Sequence, residues 1–502
     1  MNKFKILSVS LISMTLLACS DNDSSKHSDQ KISQEYQGVW HASGYGSVIK
    51  ITESDYTEFK FSSTYCFAEK SEDIDNEDLK KLVALSDNKQ SLSLLEGYGS
   101  LAFSAPKRMY SKVTALPDSC IQGIIPVSGD IGYEPDATLD LAIFHQLFKE
   151  YYFSFESKNV DFDALYNDVA PLVTTDTTED QLLDYMTYMT APLEDTHIGL
   201  ISTDGIDFNS TSNRSYIITD LISEFAALNG LPLPIPEEYL DDLLIEELES
   251  YVSDMLNLQW EIITNYAESG DDIKIAANGL IRWFQNDELG YLYIGGMSGY
   301  AEEQDTDIET ARLALENLDS IMDQALSELA NTKGLIIDIR TNPGGNDYIS
   351  LALASRFVTQ NDTHVYSKQA RDGDGVTPLI EARISPKGNI LYQKPIVLLT
   401  SNNTVSAAEV FALSMQQLPH VTLVGETTQG ALSDMLDFTL PSGIEITLSN
   451  EYYYSPQGKW MEFIGIEPDY EIEFFSQEQR ILELDSGIEL AAEILLEAGA
   501  NN

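Results

Sequence analysis

A serine at the mouth of a strand–turn–helix unit is the residue of this chain best placed for chemistry. Residues 396–399 are a short apolar run between Pro395 and the polar turn Ser401-Asn402-Asn403, the pattern of a buried strand ending in a turn. Residues 407–417 follow with Ala408, Phe411, Ala412 and Met415 at helical spacing. Ser406 stands at the start of that helix, where a hydroxyl projects beside free backbone N–H groups. Such a hydroxyl, given a base, is an acyl-transfer nucleophile. Ser406-Ala407-Ala408-Glu409 is also S-x-x-E, a capping box in which Ser406 only caps the helix. Residues elsewhere in the chain must decide between the two.

Two further polar stretches bear on the choice. Leu193-Glu194-Asp195-Thr196-His197-Ile198-Gly199-Leu200 sets a histidine in a polar knot between a helix and an apolar pair. Taken alone, a single histidine is more often structural or solvent-facing. Residues 335–340 form an apolar strand running into Thr341-Asn342-Pro343-Gly344-Gly345. Two glycines after a proline let successive backbone N–H groups turn together toward one point, as an oxyanion hole requires. The same residues also suit a plain tight turn.

The elements that must position these residues are read in chain order. Residues 1–18 are a targeting segment: Lys3 and Lys5, an apolar stretch over 6–17, and then Leu16-Leu17-Ala18-Cys19. The apolar stretch is too short to span a bilayer comfortably as a helix. Residues 19–35 are a polar tether. Residues 36–132 show short alternating runs broken by glycines, a small antiparallel β domain holding Cys66 and Cys120. Residues 133–205 turn helical, with stripes at Leu139, Ile143, Leu147, Tyr151 and at Leu182, Leu183, Met186, Met189.

Residues 206–288 form an acidic helical insertion with Leu240, Leu243, Leu244, Leu248 and Tyr251 on its apolar face. Its carboxylates lack the loop spacing and turn glycine of a calcium-binding EF-hand, so they are read as a solvated face. Strand and helix then alternate over 289–475, an α/β core, and residues 476–502 close the chain as a helix. His41 has no second His or Cys at metal spacing, and no metal site is expected.

A chain of 502 residues holds about two to four domains. Hydrophobic residues at 43% with 10% aromatics describe a globular protein. The net charge of −52, from 29 basic and 81 acidic residues, argues against nucleic acid or an anionic membrane surface as an electrostatic partner. The Leu-Leu-Ala-Cys ending resembles the bacterial lipoprotein signal. That resemblance implies cleavage before Cys19 and lipid on its thiol, with Ser20 leaning toward the outer membrane. An ordinary secretory signal is the alternative. In an exported chain the remaining pair, Cys66 and Cys120, points to one disulfide rather than two buried thiols.

In order, E-DTHIGL, GLIIDIRTNPGG, VLLTSNNTVSAAEVFA, VGETTQGA and GKWMEFIGIEPD resemble the serine peptidases of the carboxy-terminal processing and tricorn-core family. The resemblance runs over about 137–470 with gaps. It implies a crotonase-like (ClpP/crotonase-type) core, Ser406 as nucleophile, and an oxyanion hole made by the N–H of Ala407 with one from Gly344 or Gly345. One branch of the family activates its serine with a lysine, but Ala431 stands at that position and Lys459 is the only lysine after Ser406. The tricorn-like branch uses histidine. By that resemblance His197 is the base, Glu462 helps hold the polar network, and Thr196 is the assisting small hydroxyl residue. No PDZ-type segment with a peptide-binding glycine turn is legible, and no G-x-S-x-G elbow supports an α/β-hydrolase.

The expectation is therefore a lipid-anchored, exported serine endopeptidase acting on protein or peptide, without cofactor. A non-catalytic carrier on the same fold is the alternative, since the family includes members resembling interphotoreceptor retinoid carriers. In a third reading the β domain is itself an interaction module.

Overall fold

The computed structural model describes residues 31–95, 106, 108–206, 208, 217–286, 288–301 and 307–500. The signal segment and Cys19 lie outside the described residues.

Ser406 hangs from a seven-stranded sheet. Its strands run in the order Tyr470–Glu471, Val421–Gly425, Ile396–Thr400, Gly334–Asp338, Leu289–Ile294, Ile281–Gln285 and Lys274–Ala276. The five strands from Tyr470–Glu471 to Leu289–Ile294 pair parallel, and the last two add antiparallel. Every residue of Gly334–Asp338 and Ile396–Thr400 is buried, because parallel strands are covered on both faces. Alternation divides their side chains. Leu335, Ile337, Ile396 and Leu398 pack with the helices Ile308–Glu328, Asp347–Ala354 and Ala407–Gln416. Ile336, Val397, Leu399 and Val424 face Ile488, Ala491 and Leu495 of the C-terminal helix. The chain is a mixed α/β protein, and the sheet holds the Ser406 and Gly344 turns at neighbouring strand ends.

A second, three-stranded sheet carries the histidine. Gly199–Ile201 pairs with Glu445–Ser449, which pairs with Met435–Thr439. The helices Ala137–Tyr151 and Glu179–Thr190 cover it through Phe144, Leu147, Leu183 and Met186 against Phe438, Ile446 and Leu448. A third sheet pairs Thr363–Asp372 with Ile380–Ile384 on one side and Glu451–Tyr454 on the other.

The N-terminal strands form a separate antiparallel sheet, in the order Cys66–Asp73, Asp55–Phe61, Ser47–Ile51, Gly38–Ala42, Tyr110–Val113, Ser91–Leu94 and Val83–Leu85. Cys66 and Cys120 are joined, with Cα atoms 4.9 Å apart, inside a small cluster with Val48 and Phe59. The bridge closes a loop of 54 residues in sequence. Replacing both cysteines by alanine is expected to cost about 2–5 kcal/mol, felt mainly in this sheet. Chemical denaturation followed by tryptophan fluorescence, with Trp40 buried in the sheet, reads the loss. An unchanged midpoint would mean that the bridge contributes nothing to stability.

Three features differ from the sequence reading. The core sheet begins before residue 289: Lys274–Ala276 and Ile281–Gln285, read as part of the acidic insertion, are its antiparallel edge. The C-terminal segment is two helices, Gln477–Leu482 and Ser486–Ala500, broken where Glu483 takes a left-handed φ of 51°. The break lets Asp485 cap the second helix at the Ile488 N–H (3.0 Å) and pair with Arg340 (2.8 Å). In the insertion, Ile217–Leu228 packs on Asp242–Thr264 through Leu221, Phe225, Leu248 and Val252. Leu243, expected on the apolar face, is 63% exposed in the first turn beside the capping Asp241.

Candidate active site

Ser406 adopts φ 56° and ψ −125°, an orientation that costs a non-glycine residue about 1–3 kcal/mol. It opens the helix Ala407–Gln416, and Glu409 answers it from the third helical position. The Ser406 N–H donates to the Glu409 carboxylate at 3.1 Å. The Glu409 N–H goes to the Ser406 carbonyl at 2.7 Å.

Glu409 does more than cap. Fully buried, its carboxylate also accepts from the Thr428 hydroxyl (2.6 Å) and from the N–H groups of Gly430 (2.6 Å) and Ala431 (2.8 Å). Burial raises its pKa while those donors pull it down. One carboxylate thus ties the Ser406 backbone to the loop 428–431.

The glycine turn lies against the serine. A Cβ on Gly344 would sit 2.8 Å from the Ser406 Cβ and 3.2 Å from the Ala407 nitrogen, and Gly344 has φ 102°. Only glycine fits there. Asn342, wholly buried, holds the turn through three contacts. Its side chain donates to the Ile294 carbonyl (3.0 Å) and accepts the Gly344 N–H (2.9 Å), while its carbonyl accepts the Val405 N–H (3.1 Å). The Gly344 N–H is thereby engaged. Among the described residues, the N–H groups of Ala407 and Gly345 have no acceptor, and Gly345 is exposed.

His197 is 7% exposed and sits in an Asx turn. Its N–H donates to Asp195 Oδ1 (2.9 Å), which also accepts from the Ser449 hydroxyl (3.1 Å). The Thr447 hydroxyl donates to the His197 carbonyl at 2.8 Å. Burial lowers the imidazole pKa, against the pull of the Asp195 and Asp434 carboxylates, and so favours the neutral ring. His197 Nδ1 and Thr196 Oγ1 are buried without a hydrogen-bond partner.

Glu462, also fully buried, accepts from the N–H groups of Leu432 (2.8 Å) and Ser433 (2.9 Å). Burial first, then the Asp195 and Glu409 carboxylates, push its pKa well up. Glu462 is therefore felt by both the carboxylate that holds Ser406 and the one that holds His197. Among the described residues no hydrogen bond joins the Ser406 hydroxyl to His197, or His197 to Glu462. Lys459 pairs at the surface with Glu467 (3.1 Å) and takes no part in these contacts.

Comparison with known proteins bears on this arrangement. Residues 288–472 match peptidase family S41. A carboxy-terminal-processing protease of Bartonella bacilliformis is 28% identical over 141 residues, covering 28% of this chain and 31% of that protein. A carboxyl-terminal-processing protease of Synechocystis is 30% identical over 142 residues, again 28% of this chain and 31% of the relative. The chain thus spans about a third of the length of these curated relatives. A crystal structure of a putative peptidase from Parabacteroides merdae matches the fold with TM-score 0.53 at 24% identity, covering 72% of this chain and 98% of that one.

The stretch similar to that family contains Ser406, Glu409, Gly344, Gly345 and Glu462, while Thr196 and His197 precede it. The fold brings them back because Gly199–Ile201 pairs with Glu445–Ser449, a strand inside the matched stretch. Sequence reading missed the loop-holding role of Glu409 and the bracing by Asn342. The S-x-x-E spacing and the asparagine before Pro-Gly-Gly were the available signals.

Proposed function

We propose that this protein is a serine endopeptidase with a crotonase-like core, cleaving peptide bonds through an acyl-enzyme on Ser406. The observation that carries the reading is that the N–H groups of Ala407 and Gly345, at the turns on either side of Gly344, have no acceptor among the described residues. Both are left over after Gly344 has packed against Ser406 and given its own N–H to Asn342. Two open donors at the turns around a serine held at positive φ suit an anion that develops where the hydroxyl attacks.

In this mechanism Ser406 Oγ bonds to the scissile carbonyl carbon as its proton passes to neutral His197. The tetrahedral oxyanion is received by the Ala407 and Gly345 amides. It collapses by expelling the amine, which takes the proton from the imidazolium, and leaves the ester. Water, deprotonated by His197, then releases the acid and restores Ser406. Asp195 fixes the histidine backbone, Thr196 supplies a hydroxyl beside it, and Glu462 braces the loop 432–433. Hydrogen bonds between nucleophile and base commonly tighten only with substrate in place.

The substrate class is peptide or protein, as the names of the relatives suggest. The Leu-Leu-Ala-Cys ending supports anchoring through lipidated Cys19 in the bacterial outer membrane. Mass spectrometry of protein from the native envelope is expected to find lipid on an N-terminal Cys19; a free N-terminus beyond residue 19 overturns the anchor.

Incubating the purified protein with an unstructured polypeptide and sequencing the products tests the activity. Discrete new termini are expected from the wild type. Saturable binding of the polypeptide with no cleavage would instead identify a carrier.

A further inference from the structure

A buried cation stands behind both halves of the proposed catalytic apparatus. Lys368, 5% exposed on the strand Thr363–Asp372, donates to Asp434 (2.9 Å), Glu451 (2.8 Å) and the Tyr453 hydroxyl (3.2 Å). Each partner leads somewhere different.

Asp434 follows Ser433, whose N–H is held by Glu462, and precedes Met435, which pairs with Ser449. Ser449 in turn donates to Asp195, the cap of the His197 turn. Tyr453 donates to Asp347 (2.9 Å), the first residue of the helix that leaves the Gly344-Gly345 turn, and Tyr366 approaches the same carboxylate at 3.3 Å. Glu451 receives the hydroxyl of Tyr45, from the loop of the N-terminal sheet between Gly38–Ala42 and Ser47–Ile51. That loop is seated on the core: the Asn450 side chain donates to the Gly44 carbonyl (2.9 Å), and the Gly46 backbone packs against Phe438 and Tyr151.

We propose that Lys368 is a positioning residue of the reaction, locking Asp434 toward His197 and Asp347 behind the oxyanion turn, and that Tyr45 of the N-terminal sheet completes its cluster. The proposal rests on the peptidase reading of the site. It gives the N-terminal sheet a part in catalysis as a buttress of the core, in place of a free-standing binding module.

The charges are consistent with this arrangement. Burial lowers the His197 pKa, and the Asp195 and Asp434 carboxylates pull against it. Lys368, in turn, sits among Asp434, Glu451, Tyr45 and Tyr366. Burial, followed by Asp434, holds the Asp347 carboxyl up at about 7. The Asp434 side chain is 40% exposed, and Lys368 is the cation that holds it at 2.9 Å. Lys368 thus acts on the imidazole through Asp434.

The test reads His197 directly, independently of turnover. Carbon-13 labelled histidine is followed by NMR through a pH titration, with the His197→Ala variant assigning its signal among the six histidines. Asp434→Asn removes a carboxylate that favours the imidazolium, so the His197 midpoint is expected to fall by about 0.5 or more in pH. Lys368→Met is expected to lower it likewise, with little further change in the double variant. In the peptide assay Lys368→Met is expected to lower kcat about tenfold or more with KM within about twofold, the signature of lost positioning.

Should Lys368→Met fail to fold, Asp434→Asn still gives the titration, and Tyr45→Phe still gives the kcat-against-KM split. Folded variants with the wild-type His197 midpoint would overturn the proposal. If the wild type cleaves no peptide, the peptidase reading falls, while the titration still decides whether the cluster acts on His197.

Discussion

Ser406→Ala is expected to abolish peptide hydrolysis, a loss on the order of 10⁵–10⁶-fold, because an activated hydroxyl and its base act as a unit. The same serine is a helix cap, and loss of a cap costs about 0.5–2 kcal/mol. Ser406→Gly separates the two roles. Glycine accepts φ 56° and ψ −125° without the strain that serine carries there, which favours the folded state by about 1 kcal/mol. The Glu409 carboxylate can still take the residue-406 N–H, since that bond needs no side chain. The glycine variant is therefore expected to melt at or above the wild-type temperature while showing no turnover. A thermal melt beside a steady-state assay checks both; a folded Ser406→Gly protein that still cleaves would reduce Ser406 to a cap.

His197→Ala is expected to cost about 10⁴-fold or more in kcat/KM. Its wild-type pH profile is set by burial. The folded imidazole titrates below the ordinary histidine value of about 6.5, so kcat/KM should rise with pH through a midpoint under that value. Stability follows the same sign. A histidine depressed in the fold binds fewer protons there than in the unfolded chain, so its contribution is full above about pH 6.5 and is lost as the pH falls below it. Denaturation midpoints at pH 7.5 and pH 5 are expected to converge partly in His197→Ala. A profile midpoint above 6.5, or an active alanine variant, would remove His197 from the role of base.

The parts of this molecule that were legible in sequence are those whose local pattern and tertiary role agree. Residues 396–400 and 334–338 are uniformly apolar because both their faces are covered, and each ends in a turn rich in Ser, Asn or Gly. The helices at 308–328 and 407–416 carry clear apolar stripes and obvious starts. Thr363–Asp372 was not read as a strand, since T-H-V-Y-S-K-Q-A-R-D breaks its alternation with polar residues. Those polar residues include Lys368, buried because the fold brings Asp434 and Glu451 to it from 66 and 83 residues away. No local pattern marks a charge that is satisfied only in three dimensions.

The site divides in the same way. Ser406, the glycine pair and the Asp-Thr-His knot stand out as residue types in suggestive settings. Which glycine keeps its N–H open was not legible, because that depends on Asn342 reaching its own turn while also bracing Ile294 and Val405. Glu409 was visible as a cap partner, but its hold on Thr428, Gly430 and Ala431 closes over about twenty residues of sequence that give no hint of it. The break at Glu483 likewise goes with a distant contact, the pairing of Asp485 with Arg340.

Covalent capture tests the central claim most directly. The intact protein is treated with a fluorophosphonate probe, weighed by mass spectrometry and digested to map the adduct. One adduct per chain on Ser406 is predicted, absent from Ser406→Ala and strongly slowed in His197→Ala. No adduct on folded protein, or an adduct on another residue, would contradict the account.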